Sequence, residues 1–237
     1  MLAVYKREMR SYFTSPIGYI FMAIFLAVSG VLFSFSTVQA GAESNVGNYF
    51  VWLLISFIIL LPVLTMKLFA DERKQRTEVL LLTSPVTLTG MVCAKFFAAF
   101  TVFVATFAVS AFDFIALYKY SSSTPATEII IGNSIGIILV GAALIAIGVF
   151  ISSLTENQLI SALGTMAIIV VFIFASSFNS FIDSYVIRSV LSWVSILDRY
   201  YNFTYGYFDV NALVYYVSIC AVFLFLTVRV YEKRRWS

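Results

Sequence analysis

The sequence predicts an all-α integral membrane protein with six transmembrane helices and both termini in the cytoplasm. Of its 237 residues, 61% are hydrophobic and 11% are charged, against about 45–50% and 25% in soluble domains. Long stretches without a charged residue recur along the chain, and cations concentrate between alternate stretches. Because no polar linker divides the chain, we predict a single transmembrane domain over residues 1–237.

The charge-free stretches locate the spans. A helix needs about 20 apolar residues to cross a hydrocarbon core of roughly 30 Å, since each residue adds about 1.5 Å. On this basis the six spans are expected at about 16–38, 49–69, 91–117, 129–152, 159–181 and 210–230. Ser15 and Pro16 supply an N-cap and a first-turn proline for the first span. Its apolar run exceeds the roughly 7–15 residues of a secretory signal core, so we expect it to stay uncleaved.

The distribution of cations predicts the orientation, because cytoplasmic loops retain Lys and Arg. One set lies before span one, around the loop after span two and after span six, and consists of Lys6, Arg7, Arg10, Lys67, Arg73, Lys74, Arg76, Lys95, Arg229, Lys233, Arg234 and Arg235. The opposite loops hold Lys119, Arg188 and Arg199. We therefore expect a multi-pass protein of the cytoplasmic (inner) membrane.

Two segments outside the spans have helical periodicity. The first places apolar residues at spacings of three and four, at Leu2, Tyr5, Met9, Tyr12 and Phe13. It indicates an amphipathic helix in the cytoplasmic interface, with a merely basic leader as the alternative. The second, residues 183–209, contains charges that would each cost about 2.5–3.5 kcal/mol at mid-bilayer. We expect short outer re-entrant helices there, between spans five and six, and not a seventh span.

No catalytic or metal-binding pattern is visible in the sequence. The chain has no His, and Cys93 and Cys220 have neither metal-ligand nor redox spacing. A phosphate-binding P-loop requires Lys after Gly, and none of the lysines follows a Gly. We therefore predict no catalytic residue, metal or cofactor site in this chain, and no ATPase site of its own.

The loop after span two is the most informative polar segment. Residues 71–86 read Asp-Glu-Arg-Lys-Gln-Arg-Thr-Glu-Val-Leu-Leu-Leu-Thr-Ser-Pro-Val. Glu72 and Arg76 have the spacing of an ion pair on one helix, and Pro85 would end that helix. An apolar run beside a charged helix favours a docking element for a cytoplasmic partner. The alternative, a solvated basic loop, explains the cations but not the leucines.

With this loop, the six-span plan and the basic amphipathic start, the chain resembles the ABC-2 family of exporter permeases. Within it the chain is most similar to the short gliding-motility and nitrous-oxide-accessory type. The resemblance implies a coupling helix that contacts an ATPase through Glu72, Arg73, Thr77, Glu78, Leu81, Leu82 and Pro85. It implies a second cytoplasmic contact between spans four and five, at Thr155, Glu156 and Asn157. Family members often carry Gly where this chain has Arg76.

The resemblance also implies an assembly. Two permeases, identical or paralogous, would bind two separately encoded ABC ATPase subunits that use ATP and Mg²⁺, with an accessory membrane protein bearing an extracytoplasmic domain in the gliding-type subgroup. ATP-driven closure of the ATPases would shift the helix bundles and export a substrate, and no nucleic acid is expected to bind. The alternatives are an ion-coupled secondary transporter or channel, and a non-transporting membrane scaffold. Ion-coupled carriers usually bury ionisable groups at mid-membrane, and the span interiors are nearly free of them.

Overall fold

The structure is a computed structural model that describes residues 1–38, 46–77, 87–120, 127–181, 184–206 and 209–235. Within these ranges the chain is helical and contains no strand. The helices are α1 (Leu2–Thr14), α2 (Pro16–Phe33), α3 (Gly47–Thr65), α4 (Ala70–Lys74), α5 (Leu88–Ser110), α6 (Phe112–Tyr120), α7 (Thr127–Leu154), α8 (Gln158–Phe174), α9 (Tyr185–Val194), α10 (Ile196–Thr204) and α11 (Val210–Arg235). A π-helical turn, Ser34–Val38, continues α2, and a 3₁₀ segment, Ala175–Phe181, continues α8.

Six stretches of these helices are long and apolar enough to cross a membrane. They are Pro16–Thr37, Gly47–Lys74, Leu88–Lys119, Thr127–Leu154, Gln158–Asn179 and Val210–Arg235. Each overlaps one predicted span, so the prediction of an all-α multi-pass membrane protein is confirmed. The protein is therefore built for a bilayer, where helices satisfy their own backbone hydrogen bonds.

Helix α7 forms the centre of the bundle and packs against α3, α5, α8 and α11. Its glycines allow these close approaches. A Cβ at Gly148 would overlap the side chain of Thr65 on α3, and one at Gly141 would overlap the ring of Phe103 on α5. Gly136 lies against Tyr200 of α10. These small residues therefore serve packing within the chain.

Helix α1 lies against α5 and α2 at one end of the bundle. Its buried residues are Val4, Glu8 and Tyr12, whereas Leu2 and Phe13 of the predicted apolar stripe are exposed. The Tyr12 hydroxyl donates a hydrogen bond to the carbonyl of Leu64 at 3.0 Å. The helix is confirmed, and its place in the cytoplasmic interface stays a prediction.

Helices α9 and α10 occupy the segment between spans five and six. Ile196, Tyr200 and Phe203 of α10 are buried, and the Tyr200 hydroxyl donates to Oδ1 of Asn133 on α7 at 2.9 Å. Asn133 in turn donates to the Phe203 carbonyl at 3.1 Å. Because Asn133 lies about 9 Å along α7 from its first residue, α10 enters the bundle from the end opposite to α1, as expected of a re-entrant helix.

Candidate functional site

One end of the bundle gathers α1, α4, the start of α5, the end of α7 and the end of α11, and we call it the basic end. Helix α4 follows span two there and is anchored on α7. The amides of Phe69 and Ala70 donate to the Ser152 hydroxyl at 3.1 and 3.2 Å, and that hydroxyl donates to the Met66 carbonyl at 3.2 Å. The first amides of a helix lack partners within it. Ser152 therefore caps α4 from a different helix and ties the two together.

Helix α4 ends at Lys74, and Arg76, two residues later, has a φ of +57° in the left-handed region. The amide of Arg76 donates to the Arg73 carbonyl at 3.1 Å, and that of Thr77 donates to the Glu72 carbonyl at 3.0 Å. This is a Schellman ending with Arg at the position that favours glycine. The predicted helical pairing of Glu72 with Arg76 is therefore wrong, because the helix ends between them.

The core of the basic end is Lys95, an entirely buried lysine on the second turn of α5. Its ammonium lies 2.9 Å from the Glu72 carboxylate and 3.1 Å from that of Glu8, and it donates to the Leu68 carbonyl at 2.6 Å. It also lies 4.8 Å from the centre of the Phe69 ring. A buried ammonium needs partners of this kind, so Lys95 joins α1, α4 and α5.

Arg7 closes the cluster on its solvent side. Its guanidinium pairs with Glu8 at 2.7 Å and with Glu72. Partial burial lowers the pKa of Arg7, but the charges and hydrogen bonds of Glu8 and Glu72 raise it by more, so its pKa lies above the ordinary value. Two cations and two carboxylates thus form a charge-balanced group, Arg7, Glu8, Glu72 and Lys95, which we call the ion cluster.

The connection between α7 and α8 lies beside α4. Arg73 pairs with the Glu156 carboxylate at 2.8 Å and donates to the Leu154 carbonyl at 3.0 Å. Gln158 donates to the Asp71 carboxylate at 2.8 Å. The described parts of the two segments for which cytoplasmic contacts were predicted therefore form one continuous surface.

Helix α11 reaches the same surface from its last turns. Arg234 donates to the carbonyl of Ser153 at 2.7 Å, and Tyr231 packs on Phe69 with ring centres 4.9 Å apart. A surface cavity of about 440 Å³ lies between α1 and α4 and is bordered by the ion cluster. The basic end thus combines a recessed charged surface with direct connections to five helices.

Comparison with known protein families identifies the class of this membrane protein. The family described as ABC-2 family transporter protein matches residues 32–230, which includes predicted spans two to six and the last third of span one. The chain belongs to the ABC-2 family. It is accordingly an ABC transporter permease component, a membrane transport subunit of a family whose members work with an ATPase partner. No curated protein sequence matches the chain.

In the structure of this ABC-2 permease, the predicted contact residues differ from one another in what they contact. The Glu72 carboxylate faces the bundle, Arg73 faces the α7–α8 connection, and the Thr77 hydroxyl donates to the Glu72 carbonyl at 3.3 Å. Asn157 accepts from the Leu159 amide at 2.9 Å and caps α8, and Glu156 is exposed. Thr155 has a buried hydroxyl without a partner among the described residues. Glu78, Leu81, Leu82 and Pro85 lie outside the described residues.

Sequence reasoning assigned only Glu72 of the ion cluster to the site and missed Arg7, Glu8 and Lys95. Glu8 is the only carboxylate in a strongly basic segment, and Lys95 is a lone cation inside an otherwise apolar stretch. Each charge is unlike the residues around it in the sequence, and this contrast could have indicated that the two side chains need partners. Their pairing with each other was not predictable, because 87 positions separate them in the chain.

Proposed function

We propose that this chain is the permease subunit of an ATP-driven exporter, and that a separately encoded ATPase docks on the basic end. The docking surface consists of α4, the segment that follows it to residue 86, and the α7–α8 connection. One observation carries the proposal: Arg73 and Asp71 join these two segments through Glu156 and Gln158. A partner that pushes on either segment therefore moves both.

The contacts of α4 supply a route for that movement. Ser152 ties α4 to α7, the central helix of the bundle. Glu72 ties α4 to α5 through Lys95 and to α1 through Arg7. Buried ionic contacts of this kind resist separation because each partner would be left as an uncompensated charge. Force applied to α4 thus acts on the helices as a group and not on one loop.

The burial of charge supports an ATP-driven mechanism over an ion-coupled one. Ionisable side chains that are buried within the described residues, Tyr and Cys aside, are Glu8 and Lys95, and both lie at the basic end. Ion-coupled carriers usually place such groups at mid-membrane. An apolar or lipidic substrate suits a bundle of this composition, and strict transport of a small ion would contradict that choice.

The complete assembly follows from the same proposal. Two permeases, this chain with a second copy or a paralogue, bind two ATPase subunits that hold ATP and Mg²⁺. The complex resides in the cytoplasmic membrane with the basic end inside, and the substrate moves outward. We place the chain in the gliding-motility and nitrous-oxide-accessory type, in which an accessory membrane protein with an extracytoplasmic domain joins the complex.

The proposal is tested by photo-cross-linking in native membranes. A photoreactive amino acid replaces Gln75 or Glu156, both exposed at the basic end, and cross-linked proteins are identified by mass spectrometry. We expect both positions to capture one protein that carries a P-loop ATPase sequence.

Matched controls place the same amino acid at Tyr185 and Val190, which are exposed on α9 at the opposite end. These positions should capture lipid or a membrane protein but not the ATPase. Capture of the ATPase from α9, or from neither end, would overturn the proposal.

A further inference from the structure

Helix α7 makes polar contacts near both of its ends, and each set of contacts holds a different short helix. At the basic end, the Ser152 hydroxyl accepts from the first amides of α4 at 3.1 and 3.2 Å. Near the opposite end, Asn133 accepts from the Tyr200 hydroxyl of α10 at 2.9 Å and donates to the Phe203 carbonyl at 3.1 Å. Asn133 and Ser152 lie about 28 Å apart along the helix axis, close to the thickness of a hydrocarbon core. One helix therefore connects the proposed ATPase-docking surface with the re-entrant helix on the other side.

The contact between Asn133 and α10 is directional. Asn133 is fully buried, and its amide nitrogen also donates to the Ile129 carbonyl at 2.8 Å, which fixes the orientation of the side chain. One turn further along α7, a Cβ at Gly136 would lie 2.9 Å from a ring carbon of Tyr200 and 3.1 Å from one of Phe203. Apolar contacts are non-directional, whereas hydrogen bonds require a narrow range of distances and angles. Packing at Gly136 thus brings α10 close to α7, and Asn133 fixes its position along α7.

Helix α11 also holds α10. The Tyr216 hydroxyl donates to the carbonyl of Ile196, the first residue of α10, at 3.1 Å. Helix α11 packs along α7, and at the basic end Arg234 joins the two through the Ser153 carbonyl at 2.7 Å. The two long helices that hold α10 are therefore also joined to each other at the end where α4 is attached.

We propose that α7 transmits the movement of α4 to α10, and that Asn133 is the positioning residue that keeps α10 on α7 during transport. This role rests on the proposed function, in which the ATPase moves α4. Coupling between distant sites requires an element whose position both sites bias, and α7 is one uninterrupted helix from Thr127 to Leu154. A shift of its basic end is thus passed along the helix and not absorbed in a loop. The displacement of α10 changes the side of the bundle at which an exported substrate leaves.

The test uses the complex of the full-length chain with its ATPase in lipid nanodiscs, with Cys93 and Cys220 replaced by Ala. An environment-sensitive fluorophore is attached to Tyr201→Cys, at an exposed position of α10, or to Phe35→Cys, at an exposed position where α2 ends. We expect ATP and Mg²⁺ to shift the emission of the α10 label, because α10 moves with α7. The α2 label reports movement of the bundle that does not pass through α10.

Two variants weaken the contact between α7 and α10 to different degrees. Asn133→Leu keeps a side chain of similar size and removes both hydrogen bonds, so most of the ATP-dependent shift at the α10 label should be lost. ATP turnover should persist, and the α2 label should respond as it does without the substitution. Tyr200→Phe keeps the packed ring and removes only the hydroxyl, so part of the shift should be lost. The matched control is Ser134→Ala, because the Ser134 hydroxyl donates to the Ile130 carbonyl of the same helix at 2.7 Å. It should respond as wild type.

The outcomes separate this role from a purely structural one and from the proposed function. A shift in Asn133→Leu as large as in wild type would overturn the proposal, as would loss of the shift in Ser134→Ala. If Asn133→Leu does not fold, Tyr200→Phe decides, and a full shift there would overturn it. A wild-type complex that hydrolyses ATP without a shift at α10 would contradict this role alone and leave the proposed function intact. Failure of the chain to bind any ATPase would contradict the proposed function and this role with it.

Discussion

At the scale of single residues, Lys95 is a lysine whose charge is buried from solvent. It is fully buried, and two carboxylates and a carbonyl surround its ammonium. Removing one partner from a buried ionic group costs about 3–5 kcal/mol. We expect Lys95→Met to destabilise the chain by an amount of this order, measured as a lower midpoint of thermal unfolding in detergent.

Without Lys95, the carboxylates of Glu8 and Glu72 repel each other. Removing one of these two charges should therefore restore part of the lost stability. Adding Glu8→Gln to Lys95→Met should recover part of the lost stability, whereas Lys6→Met on the exposed face of α1 should change little. A Lys95→Met variant as stable as wild type would show that the ion cluster contributes nothing to the fold.

Arg76 occupies a left-handed conformation that costs a non-glycine residue roughly 1–2 kcal/mol. We therefore expect Arg76→Gly to leave the thermal midpoint unchanged or to raise it, with a gain of at most about 1 kcal/mol. The matched variant is Lys74→Gly, at the last helical residue of α4. It should lower stability by about 0.5–1 kcal/mol, and a loss of similar size from Arg76→Gly would contradict the observed φ.

At this scale the sequence predicts which residues belong to the site better than it predicts which side chains they pair with. The motif located Glu72 and Arg73, and charge spacing suggested Arg76 as the partner of Glu72. The actual partners, Arg7 and Lys95, come from other helices. Spacing along one helix carries no information on contacts between helices, so only the three-dimensional arrangement reveals them.

At the scale of elements, the packing of α7 on α3 depends on the absence of a side chain at Gly148. A Cβ there would overlap the Thr65 side chain. We expect Gly148→Ala to cost about 1–3 kcal/mol and to lower the thermal midpoint. Thr65→Gly should restore part of the loss, because it removes the atoms that clash.

Gly30 on α2 provides the control for this prediction. Nothing lies within 4 Å of a Cβ built at Gly30, and alanine is the better helix former by about 1 kcal/mol. Gly30→Ala should therefore be neutral or stabilising. Similar losses at both glycines would indicate a general intolerance of alanine in the spans and not a contact between α7 and α3.

The spans were predictable because span length and freedom from charge are local properties. The re-entrant pair was also predictable, since charges such as Arg199 exclude a seventh span. The end of α4 was not. It is set by the left-handed backbone of Arg76 and by Glu72 being held by Lys95, whereas the local pattern of charges favours a longer helix.

At the scale of the whole molecule, the pair between Arg73 and Glu156 joins the two segments of the proposed docking surface. We expect Arg73→Glu to lower ATP turnover of the permease–ATPase complex several-fold, because like charges then face each other across that surface. An exposed pair contributes up to about 1 kcal/mol, so the chain should still fold.

The reciprocal exchange distinguishes this contact from a simple loss of positive charge. Arg73→Glu combined with Glu156→Arg should restore part of the turnover, but not all, because the bond from Arg73 to the Leu154 carbonyl is also lost. If the double variant were no better than the single one, the pair would have no part in coupling.

The orientation of the whole bundle is the claim on which the function depends. The sequence predicted that one set of cations lies on one side, and the structure shows that α1, α4 and the ends of α7 and α11 meet there. Because the number of spans is even, both termini must lie on the same side of the membrane. The ABC-2 family supplies the class of protein, and the contacts of α4 support the proposal that this end receives force from the ATPase.

Cysteine labelling tests that claim most directly. In a variant with Cys93 and Cys220 replaced by Ala, either Gln75→Cys at the basic end or Tyr185→Cys on α9 is treated with a membrane-impermeant maleimide in intact spheroplasts. The account predicts labelling of Tyr185→Cys in intact spheroplasts and of Gln75→Cys only after permeabilisation. Labelling of Gln75→Cys from outside would place the proposed docking surface away from ATP and contradict the account.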